Sequence, residues 1–350
     1  METVYEPFFR AGGAADVKHA SDSYAELYTP AKPGRPIADV FDDRFLHAWV
    51  DEFGVSLDGA LAFVDQLEEA GQQPPKAVLE LPRSALAGML SAAAGLSLSS
   101  ALATLNFITL APRPEWRVAS GEFRKDWYPW RFRRRLSVLR RPLIQIDSGH
   151  DPMVALAPGL VRDSLLAMVI RFHSGEIPPT QTRSPGMRKW IGHANNVQRL
   201  EFNSSVANRM REIGWKVEKE IKLTGLLGRR LDRDYGDIDV LAWRPESGRV
   251  LVIECKDVQF NKTLGEVAEQ LNDFRGEVRP DGRPDHLRRH LNRLEVLAAY
   301  GAVISQKLKL ASPIKMEGHL VFRNPVPMRF AWDHMANRVR LSLFDELDLL

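Results

Sequence analysis

Two apolar runs set the terms for the second half of this chain. They are GDIDVLAW at residues 236–243 and VLVIECK at residues 250–256, with the turn-forming stretch PESGR between them. Apolar runs joined by so short a turn fold as a β-hairpin. What sets this hairpin apart is where its charges fall. Asp237 and Asp239 stand two apart on the first strand, and Glu254 and Lys256 two apart on the second. A period of two puts each pair on one face. Pairing through the turn then brings Asp239 beside Glu254 and Lys256, while residues 250–253 anchor the strand in a core. Acids gathered at the end of an apolar strand repel one another unless a cation neutralises them, and hard oxygen ligands suit Mg²⁺ or Mn²⁺. Lys256 beside them can orient a water or meet the charge of a phosphate. Metal-dependent phosphodiester hydrolysis is the chemistry such a set serves. Asp237 reads equally well as a turn acid.

The flanking sequence supplies the rest of a mixed α/β domain. Residues 200–213 read as a helix stopped at Gly214, and residues 215–223 alternate apolar and charged side chains as a half-buried strand does. Helices are expected over 263–274 and around Leu287, Leu291, Leu294 and Leu297, and a late strand over 318–322. This ordered set resembles the restriction-endonuclease-like nucleases of the PD-(D/E)xK type, which include Holliday-junction resolvases and methyl-directed restriction enzymes. The resemblance covers about residues 195–325. It implies a central mixed sheet flanked by helices, with Asp239 and Glu254 as metal ligands, the backbone carbonyl of Cys255 as a further ligand, and Lys256 serving the attacking water. No Pro precedes either Asp of GDID, a variation that the superfamily tolerates. Many relatives carry an acid directly after an aromatic residue in the preceding helix. Here Asn203 follows Phe202, and the nearest acid is Glu201, the candidate for a third carboxylate if one is present. Gln270 in QLNDF is similar to the Gln-x-x-x-Tyr element that lies beside the active site in several branches. The implied activity is a nuclease, in the first place a DNA endonuclease, with an RNA nuclease and a non-cutting nucleic-acid binder as alternatives. A scaffold whose hairpin acids are purely structural is a further rival. By association the resemblance also implies defence against foreign DNA.

Composition narrows the partners. Lys and Arg number 48 against 45 Asp and Glu, a net charge of +3, so a claim on nucleic acid rests on local clusters. Arg229, Arg230 and Arg233 precede the GDID strand, while Arg288 and Arg289, with Arg283 and Arg293, surround a helix near the expected catalytic face. These are placed to hold a phosphate backbone. The run RKDWYPWRFRRRLSVLRR at 124–141 interleaves bases with aromatics and suits phosphate contact and base stacking. His286 and His290, four apart, form at most half of a zinc site, and DHLRRH reads more simply as a basic helix surface. With one cysteine, Cys255, no internal disulfide and no Cys-rich metal site is possible, and its strand position argues for a buried, inert thiol.

At 350 residues and 44% apolar content, two domains are expected. Residues 1–36 read as an irregular arm, 37–173 as a mainly helical domain, 174–188 as a Pro- and Ser-rich linker, and 189–350 as the nuclease-like domain. The first domain is a place for a protein partner or a homodimer contact. Residues 84–112 carry no charge, yet their hydroxyls and the leucine spacing (Leu86, Leu90; Leu98, Leu102, Leu105) describe two short helices facing a core rather than a membrane span. No basic segment leads into an apolar run at the N-terminus, so a cytoplasmic protein with no membrane contact is expected.

Overall fold

The computed structural model describes residues 4, 7–9, 40–72, 75–112, 138–178, 181–258, 264–311, 313–335 and 338–349. Residues 124–137 of the basic, aromatic run and nearly all of the N-terminal arm lie outside them. The chain divides into two compact units, residues 28–196 and residues 197–350 together with 1–27.

The unit at 28–196 holds the helices α1 (Asp43–Phe53), α2 (Leu57–Gln72), α3 (Arg83–Ala94), α4 (Leu98–Ile108) and α5 (Pro158–His173). The expected pair of short helices is α3 and α4, bent by 110°. Gly95, at φ +64°, ends α3, and Ser97 caps α4 by accepting the N–H of Ser100 at 3.1 Å. Leu86, Leu90 and Leu105 are buried among Trp49, Phe63 and Leu67. No single helix among the described residues is long and apolar enough to cross a membrane. Beside these helices, which dominate the unit as expected, four short strands form a sheet, in the order β1 (Leu79–Pro82), β4 (Met153–Leu156), β3 (Leu143–Gln145), β2 (Thr109–Leu110). Strands of two to four residues show at most two alternations, too few to register as a period.

The helix α6, Pro185–Glu212, begins inside the segment read as a linker. Ser184 is its cap, accepting the N–H of Met187 at 3.0 Å, and the buried Glu52 carboxylate accepts the N–H groups of Arg183 and Ser184. Ser-Pro here is therefore a helix start, with Pro at the first helical position.

In the unit at 197–350 a five-stranded sheet runs β5 (Lys216–Lys222), β6 (Asp237–Arg244), β7 (Arg249–Lys256), β8 (Lys315–Phe322), β9 (Val339–Leu343). The first three strands are antiparallel, while β7, β8 and β9 are parallel, so the sheet is mixed. Its two faces are both covered. Phe202, Val206 and Met210 of α6 pack on Val240, Ala242, Leu251 and Ile253. On the other face, Leu297 of α9 (His286–Ala299) and Ile304 and Leu308 of α10 (Gly301–Leu308) pack on Leu241, Trp243, Val250 and Val252. Two short helices, α7 (Leu223–Leu227) and α8 (Leu264–Asn272), complete the part that concerns the site. Continuous apolar strands are the mark of a sheet buried on both sides.

One irregularity matters. Ile238 packs with Leu241 and Trp243, whereas Val240 and Ala242 pack with α6. Strict alternation would group Ile238 with Val240, so the pattern breaks at Asp239. Opposite the break, between the paired residues Lys219 and Ile221, lies Glu220 with φ of +54°. A left-handed backbone at a non-glycine residue inside a strand costs about 1–3 kcal/mol and persists only where its surroundings enforce it.

Candidate active site

The hairpin register pairs Val240 with Ile253, so Asp239 and Glu254 are the next residues along their strands, neighbours just beyond the end of the ladder. Asp239 is 7% exposed. Its Oδ2 accepts the backbone N–H of Cys255 at 2.9 Å, and its Oδ1 accepts Arg199 Nη1 at 3.1 Å and Asn203 Nδ2 at 3.2 Å. The same two donors serve Glu220: Arg199 Nη1 and Nη2 reach its two carboxylate oxygens at 3.2 and 3.0 Å, and Asn203 Nδ2 donates to Oε1. Arg199 and Asn203 are one turn apart on α6, so one helical face presents both.

Glu254 is held from the opposite side. Lys256 Nζ donates to Oε1 at 2.6 Å, and Arg293 Nη1 of α9 donates to Oε2. Arg293 is itself buried, and its Nε reaches the carbonyl of Tyr235 at 3.3 Å, tying the entry of β6 to the end of β7. Gly236 makes room for this: at φ +76°, a Cβ there would lie 3.1 Å from Arg293 Nη2. His290, one turn before Arg293, is fully buried with Nδ1 at 3.9 Å from Glu254 Oε2. Neither of its ring nitrogens has a hydrogen-bond partner among the described residues.

The two acids titrate in opposite directions. Burial, then the charge of Glu254, pushes Asp239 up to about 6, against the pull of the Cys255 N–H, Lys256 and Arg199. Burial also opposes ionisation of Glu254, but Lys256 and Arg293 outweigh it and hold this carboxyl well below the usual range. Burial lowers His286 and His290 to about 4, with Lys256 and neighbouring arginines adding to the effect, so both are neutral at pH 7. Burial pushes the Cys255 thiol well above its ordinary value, with Asp239 and Glu254 adding to it, which leaves a thiol and no nucleophile.

The Asp239 shift has a measurable consequence. Between pH 4 and 6 the folded chain keeps a proton on Asp239 that the unfolded chain has released. This group's contribution to stability is therefore full below about pH 4 and is lost as the pH rises through about 6. Carboxyl NMR of aspartate-labelled protein should show one resonance titrating near 6 and missing in Asp239→Asn. A single set of midpoints near 4 would contradict the geometry.

Asp239, Glu254 and Lys256 thus lie in one cluster, and Asn203, which follows Phe202 where the resemblance leads one to expect an acid, is part of it, bonded to Asp239. Glu201 is not: it is exposed, because consecutive helical residues diverge by about 100° and Phe202 and Asn203 take the buried side. Glu220 is the third carboxylate present. Gln270 is buried on α8, with no hydrogen bond to Asp239, Glu254 or Lys256 among the described residues and its Oε1 without a partner there. Asp237 is exposed at the start of β6. Arg229, Arg230 and Arg233 are exposed, Arg229 lying over the Tyr300 ring and Arg233 over Tyr235. Arg289 is exposed on α9 and donates to His286 Nδ1 at 2.9 Å, while Arg288 pairs along its own helix with Glu295 at 3.8 Å. The DHLRRH segment is not simply a basic surface, since His290 faces the core.

Fold and cluster define a two-unit α+β protein with a buried acid and cation cluster where two central strands of its larger sheet end. The chain belongs to a family: a family model described as anti-phage protein Upx-like matches residues 17–344. No curated protein matches it.

Proposed function

We propose that this chain is a metal-dependent nuclease of anti-phage defence, with a restriction-endonuclease-like core in residues 197–350 and DNA as its substrate. The observation that carries the reading is that Asp239 and Glu254 lie next to each other beyond the end of the β6–β7 ladder, near enough for the charge of Glu254 to act on Asp239, with Lys256 bonded to Glu254. The antiparallel β5–β6–β7 meander joined to a parallel β8, helices on both faces, and family membership support it.

The donor set fits a hard divalent cation. Burial, and after it the charge of Glu254, raises Asp239 to about 6, and a bound cation would favour its ionised form. Among the described residues no three His, Cys, Asp or Glu side chains are grouped to hold a metal. Asp239, Glu254 and, by resemblance, the Cys255 carbonyl would hold it. Bound Mg²⁺ or Mn²⁺ supplies a Lewis acid for the phosphoryl oxygen and lowers the pKa of water. Lys256, fixed by Glu254, offers its ammonium to the attacking water and to the charge that grows on the phosphoryl group. Arg293 keeps Glu254 ionised. Water oxygen bonds to phosphorus, the ester P–O bond breaks, and its electron pair leaves with the sugar oxygen, which takes up a proton. Arg229, Arg230 and Arg233, exposed before β6, are placed to hold the backbone without reading its sequence.

A second reading, binding without cutting, is favoured by one observation: every carboxylate oxygen of Asp239 and Glu254 already accepts from a protein donor. Purified protein incubated with plasmid DNA or RNA in Mg²⁺ or Mn²⁺ separates the two. Nicking that stops with chelator and in Glu254→Ala supports the nuclease. A gel shift without cutting supports the binder, and cutting that is indifferent to chelator overturns the metal assignment.

A further inference from the structure

Three acids and three bases make up the cluster: Glu220, Asp239 and Glu254 against Arg199, Lys256 and Arg293. As it stands the set is neutral. A divalent cation added to it leaves two positive charges in excess, so a base that occupies a carboxylate oxygen competes with the cation for it. The three differ in their freedom to do so. The Arg293 side chain is 7% exposed and anchored to the Tyr235 carbonyl, and Lys256 is 20% exposed on a central strand. Arg199 is 43% exposed, on the outer end of a helix face. Its contacts are also divisible. It grips Glu220 with both terminal nitrogens and Asp239 with one, so it can leave Asp239 and remain held by a two-bond fork. Glu220, whose φ is +54°, carries that second carboxylate. Asn203, fully buried, bridges Glu220 and Asp239 through Nδ2 and keeps the two acids together whichever way Arg199 turns.

We propose that Arg199 is a latch on this site: at rest it occupies Asp239 Oδ1, and on loading it releases that oxygen, stays parked on Glu220, and presents the same N–H group to a phosphate of the nucleic acid. Arg199 thus excludes cations from the empty site and positions the substrate in the filled one. The proposal rests on the metal-binding reading given above.

The test is Mn²⁺ binding to the full-length chain by titration calorimetry at pH 7.5, together with fluorescence anisotropy of a labelled DNA duplex in Ca²⁺. Arg199→Ala should bind Mn²⁺ about fivefold more tightly, the scale of one partly exposed competing ion pair, and bind the duplex about fivefold more weakly. Arg199→Gln gives the same result if the alanine variant folds poorly. Arg209→Ala, on the same helix but paired with Glu212 and Asp348, controls for general loss of charge and should change neither constant by more than about twofold. Unchanged or weaker Mn²⁺ binding in both Arg199 variants, with normal binding in the parent, overturns the latch alone. No Mn²⁺ binding by the parent or any variant overturns the metal reading and the latch with it.

Discussion

On the proposed nuclease reading, Lys256→Ala should lower the single-turnover rate of DNA cleavage by about 10²–10³, the usual cost of removing one preorganised charge donor from a reacting centre. The size follows from what the side chain does. Its ammonium sits 2.6 Å from Glu254 Oε1, so it is held where charge would develop and has no reorganisation left to make. The loss should fall on the chemical step, with duplex binding in Ca²⁺ close to that of the parent, because the exposed Arg229, Arg230 and Arg233 remain. The fold survives the change, since Arg293 still neutralises Glu254. Lys256→Arg should restore little, as a planar fork does not replace a compact ammonium. Cutting at the parent rate by Lys256→Ala would remove this residue from the chemistry and with it the assignment of the hairpin as the active site.

Arg293→Ala should do its damage elsewhere. It strips one of two counter-charges from a carboxylate that is 12% exposed and also unties β6 from β7 at Tyr235. Lys256 still faces Glu254, so the loss should be about 1.5–3 kcal/mol, the scale of one hydrogen bond to a charged group, and short of what an uncompensated buried charge costs. Urea unfolding at pH 7 should show that loss. The double variant Arg293→Met with Glu254→Gln should recover only part of it, since the Glu254 charge is gone but Lys256 loses its carboxylate partner. A loss under about 1 kcal/mol in the single variant would mean that Lys256 alone satisfies Glu254.

The hairpin and its acids were legible because they obey local rules: an apolar run, a turn, a second apolar run, and charges at fixed offsets. Its strands, the helix ahead of them and the leucine face of α9 could be placed from sequence for the same reason. Glu220 was not. In KVEKEIK it alternates like its neighbour Glu218, and nothing local distinguishes an exposed acid from one turned by a left-handed backbone toward Asp239. Arg199 and Asn203 were hidden differently, since helical periodicity marks which side is apolar and is silent on which polar residue meets a strand end. The choice of Glu201 failed on that point: the buried side runs through Phe202 and Asn203. Arg293 and His290 read as surface in a helix rich in Arg, and only packing reveals them as buried. The four-stranded sheet at 28–196 escaped notice because its strands are too short to show a period, and β9 because a parallel edge strand carries no turn signal linking it to its partner.

The break in alternation at Asp239 divides custody of the two acids. A regular strand would have sent both carboxylates to the same layer; here α6 governs one and α9 the other. Motion of either helix over the sheet would thus act on one acid directly and reach its neighbour only through the charge they share.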